Sequence, residues 1–304
     1  MGKMIISDDI EVRQNEDLSR HSTFKVGGRA DFAAFPKNAE EFKSILVSLK
    51  ENGQRYTVIG NGSNVLFDDD GYRGTVIFTK YMNNTEYIHM NDKIRVRAEC
   101  GKSITELAFE AGKKHLLTGM EFAYGIPGSV GGALFMNAGA YGKQISDIVV
   151  CTECYDTASE KQMTISAPEH HFSYRKSAFS ENKNLIVLSS VFELREGEGG
   201  EIFDLMNKYM KNRKEKQPLD FPSAGSVFKR PADGVYAGKL IEDAGLKGLR
   251  VGDAEVSEKH AGFIVNRANA SSKDILELIE MVKDKVYGSS GVRLECEVIY
   301  IPSE

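Results

Sequence analysis

Residues 125–142 read Gly125-Ile126-Pro127-Gly128-Ser129-Val130-Gly131-Gly132-Ala133-Leu134-Phe135-Met136-Asn137-Ala138-Gly139-Ala140-Tyr141-Gly142, and six of these eighteen positions are glycine. Glycine at that density costs conformational entropy unless the backbone has to come close to something. An extended ligand lying along the segment is the economical explanation. A crossing of two backbones inside the fold would not need glycine over so long a span. Ala133, Ala138 and Ala140 keep the remaining side chains small, and Asn137 can donate to a carbonyl or a phosphate.

Working outward, Gly60-Asn61-Gly62-Ser63-Asn64 is a second glycine loop. Consecutive backbone N–H groups in such a turn can cradle a pyrophosphate, although the same residues also make an ordinary tight turn. The spacing differs from a nicotinamide-binding loop, since Val65 stands where the third glycine belongs. Nor is Gly101-Lys102-Ser103 a phosphate-binding P-loop, because Val96 occupies its first glycine position.

The elements around these loops follow from pattern. Asp31 to Phe35 is a short apolar strand ended by Pro36, and a helix capped by Asn38 and Glu41 follows, with Phe42, Ile45, Leu46 and Leu49 on one face and Gly53 past its end. Tyr56 to Ile59 is β-prone, so strand, helix and strand suggest a right-handed βαβ unit leading into the first loop. A second helix starts at Ser103 with Glu106, and strands are expected at Ile94–Ala98, Val149–Tyr155 and Leu185–Leu194. A third helix is expected from Ile202 to about Arg213, with a domain boundary near Pro218. Ser271 and Asp274 open a further helix striped by Ile275, Ile279, Val282 and Val286, and a last strand is expected from Arg293 to Ile301. Strands and helices mix without one dominant alternation, which makes the fold class α+β.

Composition narrows the function. A chain of 304 residues has room for two domains, and a net charge of -5 argues against affinity built on many nucleic-acid phosphates. No run of eighteen apolar residues marks a membrane span, and MGKMIISDDIEVRQ has no apolar core for a signal peptide, so the expected location is cytoplasmic. Ile6 also defeats a myristoylation reading of Met1-Gly2. Cys100, Cys151, Cys154 and Cys296 read as free thiols. The close pair, Cys151 and Cys154, falls on a predicted strand whose alternation sends the two to opposite faces, and no histidine spacing complements them, so no metal is expected.

The blocks Thr23 to Gly28, Gly60 to Asn64, Gly125 to Gly142, Ser173 to Arg175, Ser223 to Pro231 (SAGSVFKRP) and Leu294 to Glu297 occur in this order, from about Ser19 to Ile301. In that order they resemble the UDP-N-acetylenolpyruvoylglucosamine reductases. The two glycine loops alone resemble only the wider FAD-binding fold of the vanillyl-alcohol-oxidase (PCMH) type; the last three blocks are specific to the reductase. The resemblance implies three parts: an FAD-binding subdomain over 1–80, completed by a C-terminal strand near 297–304; a second FAD-binding subdomain over 81–215; and a C-terminal α+β substrate-binding domain over 216–296. It further implies FAD held by Gly60, Asn61, Gly62, Ser63, Asn64, Gly125, Ile126, Pro127, Gly128, Ser129, Gly132, Ala133 and Asn137.

The same resemblance makes Ser226 the proton donor, Glu297 the C-terminal acid and Arg175 the group facing the substrate carboxylate. Strand alternation puts Glu295 and Glu297 on one face, so only the family pattern separates them. NADPH is implied as hydride donor and UDP-N-acetylglucosamine enolpyruvate as substrate, the two taking turns at one site, since no nicotinamide motif is present. Tyr174, Lys216, Arg230 and His260 are implied substrate contacts, with Lys216 also a candidate to offset the Ser226 alkoxide; Arg230 stands where one family form has asparagine. Only Lys176 to Leu185 separate Arg175 from the next strand, too few for the tyrosine-bearing lid of one branch, so the chain resembles the shorter branch. Two competing functions remain: an FAD-dependent oxidase of a sugar or alcohol on this fold, which would consume oxygen without oxidising NADPH, and a non-catalytic nucleotide-binding module.

Overall fold

Local sequence rules build the elements that frame the glycine loops, in a computed structural model that describes residues 10–90 and 93–304. The readings of the N-terminal stretch rest largely on residues 1–9, which lie outside the described residues. Strands β1 (Glu11–Asp17) and β2 (Arg29–Phe35) precede α1 (Ala39–Glu51). Asn38 caps α1, its side chain accepting from the Glu41 N–H at 2.9 Å, and Glu40 and Glu41 set negative charge at the helix N-terminus. Phe42, Ile45, Leu46 and Leu49 share the buried face, each contributing roughly 1.5–3 kcal/mol by leaving water. Gly53 ends the helix at φ +58, a left-handed value glycine adopts without a Cβ penalty.

Strands β3 (Tyr56–Ile59), β4 (Val65–Phe67) and β5 (Tyr72–Phe78) follow. The first sheet runs β1-β2-β5-β3. The expected strand, helix and strand are therefore present, with β5 inserted between the two strands.

Next come β6 (Thr85–Met90), β7 (Lys93–Glu99), α2 (Ile104–Phe109), β8 (Leu117–Thr118), α3 (Val130–Phe135), β9 (Gly139–Ala140), β10 (Lys143–Gln144), β11 (Val149–Asp156), β12 (Lys161–Ser166), α4 (Ala178–Glu181), β13 (Leu185–Glu196) and α5 (Gly199–Lys216). A second sheet runs β12-β11-β13-β7-β6, with β8 paired to β13. Strand β7 shows its period of two: Ile94, Val96 and Ala98 are buried, whereas Lys93 and Arg97 on the other face pair with Glu193 and Glu153, each at 2.7 Å. Helix α2 passes into a π-helical turn at Glu110–Lys114 that its capping residues do not foretell. Helix α5 extends past both ends of the expected 202–213 span.

The chain continues through α6 (Ala237–Asp243), β14 (Arg250–Val251), β15 (Ala254–Val256), β16 (Ile264–Asn266), α7 (Ser272–Ser290) and β17 (Ile299–Ile301). Ser271 and Asp274 form the predicted capping box, and Ile275, Ile279, Val282 and Val286 are buried. The strand expected over Arg293–Ile301 is regular only in β17, which pairs in parallel with β4. Residues 295–297 instead lie along 227–229: Lys229 N–H donates to Glu295 O at 2.9 Å and Glu297 N–H to Val227 O at 2.7 Å.

Contacts divide the chain into two units: residues 1–13, 33–61 and 76–212, and residues 14–32, 62–75 and 213–304. Each has its own core. The first centres on Phe42, Ile45, Val96, Leu134, Leu188 and Phe192; the second on Phe24, Val227, Ile241, Leu278, Ile279 and Val282. No described helix is long and apolar enough to cross a membrane.

Candidate active site

In the first unit, Gly60 meets the segment 125–137. A Cβ at Gly60 would lie 2.1 Å from Ser129 Oγ, so a side chain there would drive the loops apart. Asn61 Nδ2 donates to Pro127 O at 3.3 Å. Ser129 in turn caps α3, its hydroxyl accepting from Gly132 N–H at 3.2 Å. Thr105 holds the approach to this loop, donating to Ile126 O at 2.5 Å and accepting from Gly125 N–H at 3.1 Å. Sequence reading passed over Thr105, because a threonine two places past an N-cap serine looks like an ordinary first-turn residue.

Several glycines are required by the protein's own packing. A Cβ at Gly62 would fall 1.9 Å from His21 O, at Gly131 3.2 Å from Cys100 O, and at Gly139 2.6 Å from Lys143 O. These three allow close backbone crossings. What stays open is narrower: Gly132 and Pro127 are exposed, and the backbone N–H groups of Gly128 and Ser129 find no acceptor among the described residues. Two adjacent unspent donors beside exposed glycine fit the diphosphate of a dinucleotide such as FAD.

Asn137 ties this segment to its neighbours. It is buried, with Nδ2 donating to Gln144 Oε1 and Ser173 O, both at 3.2 Å, and Oδ1 accepting from Ser146 N–H at 3.1 Å. Its amide bonds within the protein, and it anchors Ser173. From Ser173 a tight turn returns to Lys176, the two exchanging N–H to carbonyl bonds at 3.2 Å, with Tyr174 and Arg175 at the tip. Arg175 has φ +58, a conformation costing a non-glycine residue roughly 1–2 kcal/mol. Its guanidinium lies 5.2 Å from the Tyr174 ring centroid. The short connection behind it, 176–185, holds only the single turn of α4, capped by Ser177.

In the second unit, Thr23 N–H donates to Gly62 O at 3.1 Å and Ser223 N–H to Thr23 O at 3.1 Å, which brings the first glycine loop toward the segment containing Ser226. Ser226 is bridged to Phe263, and Gly225 before it, at φ +74, has nothing within 4 Å of where its Cβ would be. The Glu297 N–H bond to Val227 O places Glu297 one residue from Ser226 across the pairing. Asn64 Nδ2 donates to Glu297 O at 3.1 Å. Asn64 is thus joined to Glu297, and Glu297 to the residue after Ser226, while Ser63 is half-buried.

Burial separates the two glutamates that alternation left equivalent. Glu295 is exposed and pairs with Lys229 at 3.4 Å, whereas Glu297 is half-buried. His260 accepts from Gly262 N–H through Nδ1 at 3.1 Å, which leaves the neutral ring's proton on Nε2. Burial pushes its pKa below the usual imidazole value. Arg230 is exposed, with its guanidinium 4.9 Å from the Tyr236 ring centroid. Lys216 is exposed at the end of α5 and makes no hydrogen bond to Ser226, so the structure does not bring these two together.

Among the described residues no cluster of three His, Cys, Asp or Glu side chains is arranged to hold a metal ion. Cys154 is buried on β11 and Cys151 half-buried, both as free thiols.

The family model described as FAD binding domain matches residues 30–166. The one described as UDP-N-acetylenolpyruvoylglucosamine reductase, C-terminal domain, matches residues 217–301. The chain is 46% identical to the UDP-N-acetylenolpyruvoylglucosamine reductase of Clostridium novyi over 299 residues, covering 98% of this chain and 95% of the relative. It is 47% identical to the Streptococcus pyogenes protein of that name over 289 residues, 95% of each. Among solved structures, the UDP-N-acetylenolpyruvylglucosamine reductase of Thermus caldophilus superposes with a TM-score of 0.80 at 32% identity, covering 96% of this chain and 99% of that one.

Proposed function

The chain belongs to the UDP-N-acetylenolpyruvoylglucosamine reductase family, and on that footing we propose that it reduces UDP-N-acetylglucosamine enolpyruvate to UDP-N-acetylmuramate in peptidoglycan synthesis, with NADPH as hydride donor and the cytoplasm as its location. It is an FAD-containing oxidoreductase whose α+β fold carries an FAD-binding domain of the vanillyl-alcohol-oxidase type. Bound FAD supplies the hydride relay that no protein side chain provides. Gly128 and Ser129 N–H groups, flanked by Asn61 and Gly132, would hold its diphosphate.

The remaining chemistry falls to side chains. Addition of hydride to the terminal enolpyruvyl carbon leaves negative charge delocalised onto the carboxylate. Arg175 meets that charge, since a guanidinium is planar, bidentate and permanently cationic. Ser226 delivers a proton to the adjacent carbon, with Glu297 as second acid or as the group that polarises the carboxylate. Lys216, Arg230, Tyr174 and His260 bind the sugar nucleotide. The observation that carries this reading is the junction at Glu297, where its N–H reaches Val227 beside Ser226 and its carbonyl takes the amide of Asn64.

The test separates two half-reactions. In Ser226→Ala, NADPH still bleaches the flavin, while reoxidation by the enolpyruvyl sugar nucleotide slows by about 100-fold or more. Both half-reactions unchanged would remove Ser226 from its role. A natural-sequence protein whose bleached flavin is not restored by that substrate, or which consumes oxygen without oxidising NADPH, would overturn the reading.

A further inference from the structure

Tyr236 breaks a local rule. It occupies the N-cap of α6, where Ser, Thr, Asn or Asp is favoured because a short side-chain oxygen accepts a first-turn N–H, and Tyr236 makes no such bond. Burial does not account for it, since the residue is 58% exposed, more than any other large hydrophobic residue described. A single exposed ring would need no explanation by itself. The setting does. A turn with Gly234 at φ +77 and an Ala232–Val235 bridge folds the chain back from Arg230 to Tyr236, leaving the Arg230 guanidinium 4.9 Å from the ring centroid. No other ring or cation contacts Tyr236 among the described residues.

The helix that Tyr236 opens is linked through His260 to the segment that holds Ser226. A Cβ at Gly238, two residues on, would lie 3.3 Å from the His260 ring, which is itself fixed by Gly262 N–H. Gly262 O accepts from Val227 N–H at 2.9 Å, next to Ser226. A residue that gives up a cap bond and stays in water, with a guanidinium over one side, is suited to a flat ligand ring on the other.

We infer that Tyr236 is the stacking platform for the nucleobase of the sugar-nucleotide substrate, an assignment that rests on the function proposed above. Base–aromatic stacking needs only a π-face, so the platform supplies affinity while Arg230 orients the adjoining phosphate-bearing end.

The experiment uses the flavin-loaded full chain. Tyr236→Ala should raise KM for the enolpyruvyl sugar nucleotide, and the inhibition constant of uridine monophosphate, by about 5- to 100-fold, the range one lost base stack gives. Inhibition by ribose 5-phosphate, which lacks the base, should stay within twofold in the same variant, by the same stacking argument. Tyr236→Phe should restore both uridine-dependent values, and Tyr236→Leu, which keeps apolar bulk without a π-face, should not. Uridine monophosphate inhibition unchanged in the Ala and Leu variants, or Phe as damaging as Leu, would overturn the inference while leaving the reductase reading intact. Failure of the natural-sequence protein to turn over the sugar nucleotide would instead defeat that reading and the inference with it.

Discussion

Asn64 Nδ2 donates to the main-chain carbonyl of Glu297 at 3.1 Å, joining the end of the first glycine loop to a residue 233 positions away. The Ile299 N–H returns the connection by donating to Asn64 O at 3.0 Å, and β17 then pairs with β4. The loop and the C-terminal acid are therefore held as one object. Asn64→Ala removes the donor and leaves a partly buried carbonyl unsatisfied, which should cost about 1–3 kcal/mol of stability. The accompanying fall in kcat should exceed any change in KM for NADPH, because the displaced group is Glu297; steady-state kinetics with a thermal melt would check both.

Gly60 and Ser129 give a reciprocal prediction. Gly60→Ala places a methyl 2.1 Å from Ser129 Oγ, so the protein should retain FAD about 5- to 100-fold less tightly, as overpacking strain of roughly 1–3 kcal/mol implies. Removing the hydroxyl relieves the clash, since the next atom, Ser129 Cβ, would be 3.1 Å away. The Gly60→Ala/Ser129→Ala double variant should recover part of the flavin affinity lost by Gly60→Ala alone, despite losing the α3 cap. Flavin absorbance per protein after gel filtration reads this directly, and a double variant worse than the sum of the singles would contradict it.

These particulars show what was legible in the sequence. Capping residues and apolar periodicity located α1, α7 and the long strands, because Asn38, Ser271 and the stripe Ile275 to Val286 act through neighbours three or four residues away. The order of strands was not legible, since β5 between β2 and β3 is decided by long-range pairing. Glycine composition marked both loops, but the protein partners of individual glycines were not legible: Gly62, Gly131 and Gly139 make way for His21, Cys100 and Lys143, which only the folded chain supplies. The differing burial of Glu295 and Glu297 was not legible either, because strand alternation puts both on one face.

A buried and a half-buried imidazole predict an acid weakness. Burial holds both His170 and His260 below the ordinary value of 6.5; His170 Nε2 is also within 2.7 Å of Thr152 Oγ1. The unfolded chain takes up protons as pH falls through about 6.5, whereas the folded chain resists until its lower values are reached. Stability should therefore be full above that pH and decline below it, the loss levelling off once pH passes the folded values. Urea midpoints at about pH 7.5 and 5.5 would register the decline. His170→Asn should be less stable at the higher pH yet lose less on acidification, and an unchanged slope would exclude His170 as a contributor.

Arg175 offers the sharpest conflict between stability and activity. Its φ of +58 at the tip of the Ser173–Lys176 turn is a conformation in which glycine is unstrained. The strain runs against folding, and glycine would relieve it at a cost of greater freedom in the unfolded chain, the two effects being of similar size, about 1 kcal/mol. Arg175→Gly should thus melt within a few degrees of the parent. Catalysis should respond oppositely: without a guanidinium against the developing carboxylate charge, kcat/KM for the enolpyruvyl sugar nucleotide should fall on the order of 100-fold or more. Arg175→Lys retains charge but not the bidentate fork, and should recover only part of that loss. A variant with glycine that melts several degrees lower would mean that Arg175 is kept for the fold, and that its left-handed backbone carries no message about the substrate.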